Sequence, residues 1–379
     1  MQRFSLKPTV YFDQNAIEYL REVKGSRALI VTDGMMKQLG LADKVANVLA
    51  QNYITSNIFS EILPDPDLKM IVAGMKALAD CNPDIVIAIG GGSVIDTTKG
   101  ILYSFWKMQE ANNMPFEKPN FIAIPTTSGT GSEVTAFSVI RMGDGKIALV
   151  DDWMIPDVAI LDPEFVKSVP AKITADTGMD VLCHALEAYV STNSNDMTDA
   201  MSEKVVKLVF ENLYTAYKDG ANETARAKMH NASCMAGIAF TNASLGITHS
   251  LAHAIGGVFH IPHGRANALL MSNVIAYNAD LKNGANNEAA RKYAYLAKLI
   301  GLPSDTPLEG TISLIIAIEN LKKMMEVPSK ISEMGIEESA FEMELDKMSH
   351  LALNDGCTVT NPTQPSIENL KNIYRQTYK

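Results

Sequence analysis

The sequence predicts an α/β domain built on a parallel sheet, Rossmann-like in layout, followed by an all-helical C-terminal domain. Up to about residue 178, short runs rich in Val, Ile and Ala alternate with amphipathic stretches, the pattern of a parallel sheet covered on both faces. Glycines follow several of these runs, and from residue 179 onward almost every patterned stretch has helical spacing. We therefore expect two domains, 1–178 and 179–379, which suits a chain of 379 residues.

The predicted elements of the first domain alternate in type along the chain. Strand-like runs occur at 27–32, 57–62, 84–90 and 120–127. Helical patterns occur between them at 41–52, 67–81 and 93–106. In the second domain the helical patterns cover 179–190, 199–218, 223–240, 287–300, 311–325 and 338–353.

Composition excludes several classes of function. The formal net charge is -10 and no block of cations occurs, which argues against nucleic-acid binding. The four cysteines are far apart and form no C-x-x-C pair, as in a reduced intracellular protein. The N-terminus lacks the apolar run of a secretory signal, and no apolar stretch is long enough to span a bilayer. We expect a cytoplasmic protein with no membrane partner.

A glycine-rich turn follows the third predicted strand. Gly90, Gly91, Gly92 and Ser93 end a strand and begin a helix, so backbone N–H groups and the helix dipole could hold a phosphate. The G-x-G-x-x-G fingerprint is absent, and the turn could equally be a tight connection without a ligand.

Two further polar groups follow predicted strands. Asp33 ends the first strand-like run, where a carboxylate can accept hydrogen bonds from the hydroxyl groups of a ribose and repel a 2′-phosphate. A helix-capping aspartate is the simpler interpretation. Residues 125–135, PTTSGTGSEVT, are dense in hydroxyls and glycines. Because the carboxyl ends of parallel strands share one edge of a sheet, the three groups together favour a nucleotide ligand.

The second domain carries a concentration of histidines. Four of the seven histidines lie between residues 249 and 263. His249 and His253 share a helix face, and Asp180 and His184 form another pair four residues apart. A carboxylate and imidazoles from separate segments suit a divalent transition metal. For His230, His260 and His350, ordinary hydrogen bonding is the simpler interpretation.

The stretches GGGSVIDTTKG, PTTSGTGSEVT, TGMDVLCHALEAYVS and GITHSLAHAIGGVFHIPHGRANALL make the chain recognisable. Over nearly its whole length it resembles the iron-containing (group III) alcohol dehydrogenases, most closely the propanol dehydrogenase branch associated with diol and amine degradation. The resemblance implies a metal-dependent oxidoreductase that interconverts a small alcohol and its aldehyde with NAD(H), its metal lying in a cleft between the domains. It also implies a homodimer, and it adds a bacterial microcompartment as an alternative location.

Residue roles follow from the resemblance, motif by motif. It implies a divalent ion, Fe²⁺ with Zn²⁺ as the alternative, held by Asp180, His184, His249 and His263. His253 would lie beside the nicotinamide and relay the proton. The implied cofactor contacts are Asp33, Asp65, Gly91, Gly92, Ser93, Thr126, Thr135 and Lys146. Two positions depart from the family: Asp65 replaces a common Asn, and Asn361-Pro362-Thr363 replaces Asn-Pro-Arg.

The resemblance places Phe137, Phe240, Leu245 and Cys357 in the substrate pocket, an apolar lining that favours propanal, acetaldehyde or butanal. Arg265 stands where relatives usually carry an aliphatic residue. It is either part of an ion pair or a clamp for a small anionic aldehyde such as sulfoacetaldehyde.

Two other classes of function remain open. One is dehydroquinate synthesis or glycerol phosphate oxidation on a related fold, although residues 229–264 contain no Lys or Arg to hold a phosphate. The other is a non-catalytic assembly protein that retains the metal and nucleotide sites.

Overall fold

The chain divides into two units between Val169 and Pro170. The N-terminal unit is Ser5–Val169, and the C-terminal unit consists chiefly of Pro170–Lys379. The computed structural model describes residues 3–63, 67–142 and 145–379, with the side chains of 142–148 outside that description. The boundary predicted at residue 178 falls inside a helix that already begins at Ala171.

A parallel sheet organises the N-terminal unit. Its strand order is β1-β8-β5-β4-β2-β3, and every neighbouring pair is parallel. The strands are β1 (Thr9–Phe12), β2 (Arg27–Asp33), β3 (Thr55–Ile62), β4 (Ile85–Gly90), β5 (Asn120–Pro125) and β8 (Val158–Leu161). Between β5 and β8 the chain forms an antiparallel hairpin of β6 (Phe137–Met142) and β7 (Gly145–Val150). The helices of this unit are α1 (Gly34–Gln38), α2 (Leu41–Gln51), α3 (Leu68–Cys81) and α4 (Gly92–Ala111).

The central strands are continuously apolar because both faces of the sheet are buried. Ile30, Ile87 and Ile122 are aligned across β2, β4 and β5 and pack into one core cluster. The residues one position earlier in each strand, Leu29, Val86 and Phe121, are aligned in the same way and pack into a second cluster. Since side chains alternate along a strand, the two clusters cover opposite faces.

The C-terminal unit is helical. Between Pro170 and Lys379 every regular element that the structure describes is a helix. The α-helices are α5 (Ala171–Val190), α6 (Asp196–Lys218), α7 (Glu223–Ala243), α8 (Ile247–Phe259), α9 (His263–Asn278), α10 (Glu288–Leu299), α11 (Pro307–Met324), α12 (Glu338–Leu353) and α13 (Ile367–Tyr378). One core cluster joins α5, α6, α7, α10 and α11, and another joins α8, α12 and α13; α9 contributes residues to both. The predicted combination of a parallel α/β sheet domain and an all-helical domain is confirmed.

No helix among the described residues has the length and apolar character needed to cross a membrane.

Candidate metal centre and nucleotide-binding edge

Three helices of the C-terminal unit bring the predicted metal ligands together. Asp180 and His184 lie one turn apart on α5, His249 lies in the first turn of α8, and His263 is the first residue of α9. Each side chain offers one ligand atom, and the four atoms lie within 4.8 Å of one another. Asp180, His184 and His249 are buried, whereas His263 is exposed. One carboxylate and three imidazoles therefore surround a common point that is open on the side of His263.

Helices α5 and α9 approach closely beside this point. A Cβ atom added to Gly264 would lie 2.2 Å from the backbone oxygen of Asp176 on α5, so only glycine allows this separation. The next residue, Arg265, forms a bidentate ion pair with Asp176: Nε lies 2.9 Å from Oδ1 and Nη2 lies 3.0 Å from Oδ2. Asp176 is one turn before Asp180, so the contact fixes the helix segments that carry Asp180 and His263.

The electrostatics of the cluster favour the protonation states that a metal needs. Burial alone would raise the pKa of Asp180, but the imidazoles of His184, His263 and His249 outweigh it and the pKa is lowered. Burial, with the neighbouring His184 and His263, holds the pKa of His249 well below its usual value. Both directions favour the forms that coordinate cations, which are the ionised carboxyl of Asp180 and the neutral imidazole of His249.

Two polar side chains hold the ligands from behind. Glu187, the last acidic residue of α5, accepts from Nδ1 of His249 at 2.6 Å. Asn267, one turn after His263, places Nδ2 at 2.7 Å from Oδ1 of Asp180 and at 3.2 Å from Nε2 of both His249 and His263. A metal-bound imidazole usually donates its other N–H to such a carboxylate.

The hydrogen-bond pattern of the cluster fits a cation. Asn267 Nδ2 carries two hydrogens but faces a carboxylate oxygen and two imidazole nitrogens. Among the described side chains, the buried Nδ1 of His184 and Oδ1 of Asn267 have no hydrogen-bond partner. The centre therefore contains more lone pairs than protein donors can satisfy, which is the condition that a divalent ion relieves.

A histidine–aspartate pair adjoins the cluster. His253 lies one turn after His249, and its ring stacks on His263 with centroids 5.3 Å apart. Its Nδ1 lies 2.9 Å from Oδ2 of Asp355, and its side chain is 44% exposed. Because a carboxylate only accepts, Nδ1 carries the hydrogen and Nε2 is the nitrogen that can exchange a proton. Together with Cys357, this pair forms one of two further groups of ligand atoms that lie within 4.8 Å of one another, the other being Cys183, Glu187 and His249.

The glycine turn of the N-terminal unit lies at the start of a long helix. Gly91 is the N-cap of α4 and Gly92 is its first residue, followed by Ser93. A Cβ on Gly92 would lie 2.8 Å from Cγ2 of Thr130 in the hydroxyl-rich loop. The turn and the loop after β5 are therefore neighbours, and a side chain at Gly92 would force them apart.

Lys99 anchors the hydroxyl-rich loop from inside. Its fully buried Nζ donates to the backbone oxygens of Ser132 and Phe137 at 2.7 and 2.8 Å. It also donates to Oγ1 of Thr135 at 3.0 Å. Thr126 is likewise buried, and its N–H donates to the oxygen of Gly90 at 3.0 Å. These contacts order the loop next to the glycine turn.

The other predicted cofactor residues differ in how far the structure describes them. Asp33 ends β2 and caps α1, since its Oδ1 accepts from Met36 N at 2.9 Å; this is the structural role weighed for it from the sequence. Lys146 pairs with Arg141 in the hairpin, but its side chain lies outside the described residues. Asp65 also lies outside the described residues.

The predicted pocket residues are distributed over both units. Phe240 stacks on the ring of His184 with centroids 4.6 Å apart, so it lies directly at the metal centre. Leu245 lies two residues before α8, and its backbone oxygen accepts a hydrogen bond from Thr360 Oγ1 at 2.7 Å. Cys357 is partly buried and adjoins Asp355. Phe137 begins β6 in the N-terminal unit.

The sequence allows two roles for Arg265, an ion-pair partner or an anion clamp. The residue is only 8% exposed, and two of its nitrogens bond the carboxylate of Asp176. The geometry favours the ion pair, because the fork that would recognise a sulfonate already binds a carboxylate.

Several residues of the centre were not found from the sequence. Asp176 and Glu187 continue the face of α5 defined by Asp180 and His184, and Asn267 follows His263 by four residues. Polar residues at helical spacing from a ligand, in otherwise apolar helices, were the available signal.

Comparison with known families decides what kind of protein carries this centre. Residues 8–163 match "Iron-containing alcohol dehydrogenase", and residues 174–378 match "Fe-containing alcohol dehydrogenase family, C-terminal". The chain belongs to the iron-containing alcohol dehydrogenase family. It is therefore an oxidoreductase that interconverts alcohols and aldehydes, and the expected family is confirmed.

Individual relatives cover nearly the whole chain. A 1-propanol dehydrogenase, PduQ, of Salmonella typhimurium is 42% identical over 381 residues, covering 99% of this chain and 100% of the relative. An NADPH-dependent butanol dehydrogenase of Clostridium saccharobutylicum is 39% identical over 391 residues, covering 100% and 98%.

Solved structures show the same fold. A 1,3-propanediol oxidoreductase superposes with a TM-score of 0.91 at 32% identity, covering 100% of both chains. A sulfoacetaldehyde reductase from Bifidobacterium kashiwanohense, in complex with NAD⁺, has a TM-score of 0.87 at 26% identity, covering 100% of this chain and 98% of that one.

Proposed function

We propose that this enzyme reduces a short, neutral aldehyde such as propanal with NADH, at a divalent metal ion held by Asp180, His184, His249 and His263. The observation that carries the proposal is the convergence of the four ligand atoms within 4.8 Å. Fe²⁺ is the proposed ion and Zn²⁺ the alternative, because imidazole and carboxylate bind both.

The ligand set determines the character of the site. One carboxylate and three neutral imidazoles would leave a divalent ion with a formal charge of about +1. Such an ion supplies Lewis acidity to a carbonyl oxygen, and the nicotinamide supplies the hydride. Asn267 orients Asp180 through its 2.7 Å hydrogen bond, and Phe240 covers the ring of His184. These contacts hold the ligands in place before substrate arrives.

His253 is the proposed proton relay. Asp355 accepts from its Nδ1 and leaves Nε2 to take up and release the proton that the product alcohol requires. Because the side chain of His253 is partly exposed, Nε2 can exchange protons with solvent. Asp355 is thereby a positioning residue for His253.

The nucleotide is proposed to bind along the edge formed by Gly91, Gly92, Ser93, Thr126 and Thr135, with Asp65 and Lys146 as further contacts. The N-terminus of α4 would take the phosphates. Asp33 would repel a 2′-phosphate, so we propose a preference for NAD(H). Because the butanol dehydrogenase relative is NADPH-dependent, NADH and NADPH have to be compared directly in this enzyme.

A neutral substrate follows from the side chains near the centre. Phe240, Leu245 and Cys357 add no charge, and Arg265 is bound to Asp176. The competing substrate, sulfoacetaldehyde, would need a further cation for its sulfonate, besides the metal ion at its carbonyl oxygen.

The experiment measures NADH oxidation at 340 nm with propanal. Enzyme stripped with a chelator should be inactive, and Fe²⁺ or Zn²⁺ should restore turnover. His263→Ala should bind little metal, as measured by mass spectrometry, and should lose nearly all turnover. His350→Ala, an exposed histidine of α12, serves as the matched control and should behave as wild type. Stoichiometric metal in His263→Ala would overturn the ligand assignment, and metal-independent turnover would overturn the proposed function.

A further inference from the structure

The carboxylate of Glu187 performs two tasks with its two oxygens. The side chain is buried, with the residue 4% exposed. Oε1 accepts from the N–H of Thr248 at 2.6 Å. Oε2 accepts from the N–H of Gly246 at 3.0 Å and from Nδ1 of His249 at 2.6 Å. The same group therefore binds the start of α8 and the imidazole in its first turn.

The start of α8 has a second, independent cap. The side-chain oxygen of Asn361 accepts from the N–H of Ile247 at 3.2 Å, so Asn361 and Glu187 together satisfy three consecutive N–H groups. Gly246 is required between them, because a Cβ there would lie 2.8 Å from Oδ1 of Asn361 and 3.0 Å from Oε1 of Glu187. Asn361 shares the capping task with Glu187, but of these two residues it is Glu187 that also bonds the ring of His249, whereas the amide nitrogen of Asn361 donates to Asn278 and Thr363.

The contact with His249 determines which ring nitrogen is available. Since a carboxylate accepts but does not donate, Nδ1 must carry the hydrogen. Nε2 then presents a lone pair, and it lies 3.8 Å from Oδ1 of Asp180, on the side of the other ligands. Without the carboxylate, the ring could exchange tautomers and rotate, and Nε2 would lose its fixed direction.

We propose that Glu187 is a positioning residue of the metal centre, which holds His249 in the tautomer and orientation that bind the ion. This inference rests on the metal ligation proposed above. A glutamine at this position keeps the size but has only one acceptor oxygen for three donors, and its NH₂ group would face an N–H. One of the three hydrogen bonds must then be lost or reversed. Where the amide oxygen keeps Nδ1 of His249, the contact is that of a neutral acceptor, which is weaker than the charge-assisted bond to a carboxylate.

The test measures metal affinity directly, apart from turnover. Wild type, Glu187→Gln, Glu187→Asp and Asn361→Ala are stripped of metal, and the Kd for Zn²⁺ is measured by competition with a chromophoric chelator. Thermal unfolding of each metal-free protein gives its stability in parallel. We expect Glu187→Gln to bind Zn²⁺ roughly 10- to 100-fold more weakly, as for other carboxylates behind a metal-bound histidine.

The Asn361→Ala variant separates positioning from capping. It removes a cap of the same helix without removing the contact to His249, so it should lower the unfolding midpoint while its Kd stays within about threefold of wild type. If Glu187→Gln is folded and binds Zn²⁺ as tightly as wild type, the positioning role is wrong. The role is also wrong if Asn361→Ala weakens binding as much as Glu187→Gln does. If Glu187→Gln does not fold, the Kd of Glu187→Asp is the test. Aspartate keeps the carboxylate but, being one methylene shorter, holds it farther from His249, so it should still weaken Zn²⁺ binding.

The outcome is distinguishable from failure of the proposed function. Wild type that binds no Zn²⁺, or His263→Ala that binds it normally, would overturn the metal centre itself. Tight binding by wild type and weak binding by His263→Ala, with unchanged affinity in Glu187→Gln, would overturn only the role of Glu187.

Discussion

Replacing Arg265 with leucine distinguishes a structural ion pair from a substrate clamp. In the structure two nitrogens of Arg265 lie 2.9 and 3.0 Å from the oxygens of Asp176, and both residues are 8% exposed. Arg265→Leu strands a buried carboxylate, and breaking a buried pair in this way costs about 3–5 kcal/mol. For a unit of this size that corresponds to a fall of roughly 6–20 °C in the unfolding midpoint.

The loss should depend on pH in a defined direction. Burial raises the pKa of Asp176, and Arg265 offsets part of that effect. Without Arg265 the folded carboxyl binds its proton more tightly than the unfolded one, so stability falls as pH rises above the unfolded pKa of about 4. The deficit of Arg265→Leu relative to wild type should therefore be larger at pH 8 than at pH 5. Asp176→Leu combined with Arg265→Leu removes both charges and should recover most of the stability.

The assay pairs unfolding midpoints with kcat/KM for propanal and for sulfoacetaldehyde. We expect Arg265→Leu to change both substrates alike, because the guanidinium is bound to Asp176. Arg291→Leu, which breaks an exposed ion pair with Glu288 on α10, is the control and should cost no more than about 1 kcal/mol. A clamp would give the opposite pattern: little loss of stability, and a selective fall of roughly 10- to 100-fold for sulfoacetaldehyde, as expected for losing a charge-assisted contact of about 1.5–3 kcal/mol. That pattern would refute the structural interpretation.

Three further substitutions test other parts of the molecule. Gly264→Ala places a Cβ 2.2 Å from the backbone oxygen of Asp176, so it should push α9 away from α5 and lower both the metal content and the unfolding midpoint. Gly257→Ala is the control and should change neither, because a Cβ there meets nothing within 4 Å. Equal metal content in the two variants would contradict the close approach of the two helices as the reason for the glycine. Burial raises the pKa of Glu133 from 4.5 to about 7, so the free energy of unfolding should fall by up to about 3 kcal/mol as pH rises through this range. Glu133→Gln should therefore flatten the fall in the unfolding midpoint between pH 5 and 8. An unchanged pH profile in this variant would contradict the assignment. Asp33→Gly should raise kcat/KM with NADPH relative to NADH, and wild type that uses both equally would defeat the proposed role of Asp33.

The elements that sequence patterns predicted well are those whose environment is uniform. Strands β2, β4 and β5 are buried on both faces, so their residues are apolar throughout and stand out. Strand β1 has four residues, lies at the edge of the sheet and is partly exposed, and it was not predicted. Strand β8 was not predicted either: it is buried throughout, but with four residues it is too short to show a pattern. The β6–β7 hairpin was also not predicted.

In the candidate site, too, some residues could be found from the sequence and others could not. Ligand spacing on α5 and α8 follows from helix geometry, which a single sequence shows directly. The contacts behind the ligands depend on how helices pack: Glu187 meets His249 from another helix, and Arg265 meets Asp176 only because Gly264 lets α5 and α9 approach. The distance between α5 and α9 cannot be read from any local sequence pattern. The sequence therefore leaves two roles open for Arg265, and the packing of the helices favours the ion pair.

The position of the bound metal ion is the sharpest test of the proposed metal centre. Crystals of the metal-loaded enzyme, measured on both sides of the iron or zinc absorption edge, give the ion's position from its anomalous scattering. We expect one peak about 2.0–2.3 Å from a carboxylate oxygen of Asp180 and from a ring nitrogen each of His184, His249 and His263. A peak centred instead on the neighbouring group of His253, Asp355 and Cys357, or no peak in an enzyme that reduces propanal, would contradict the account.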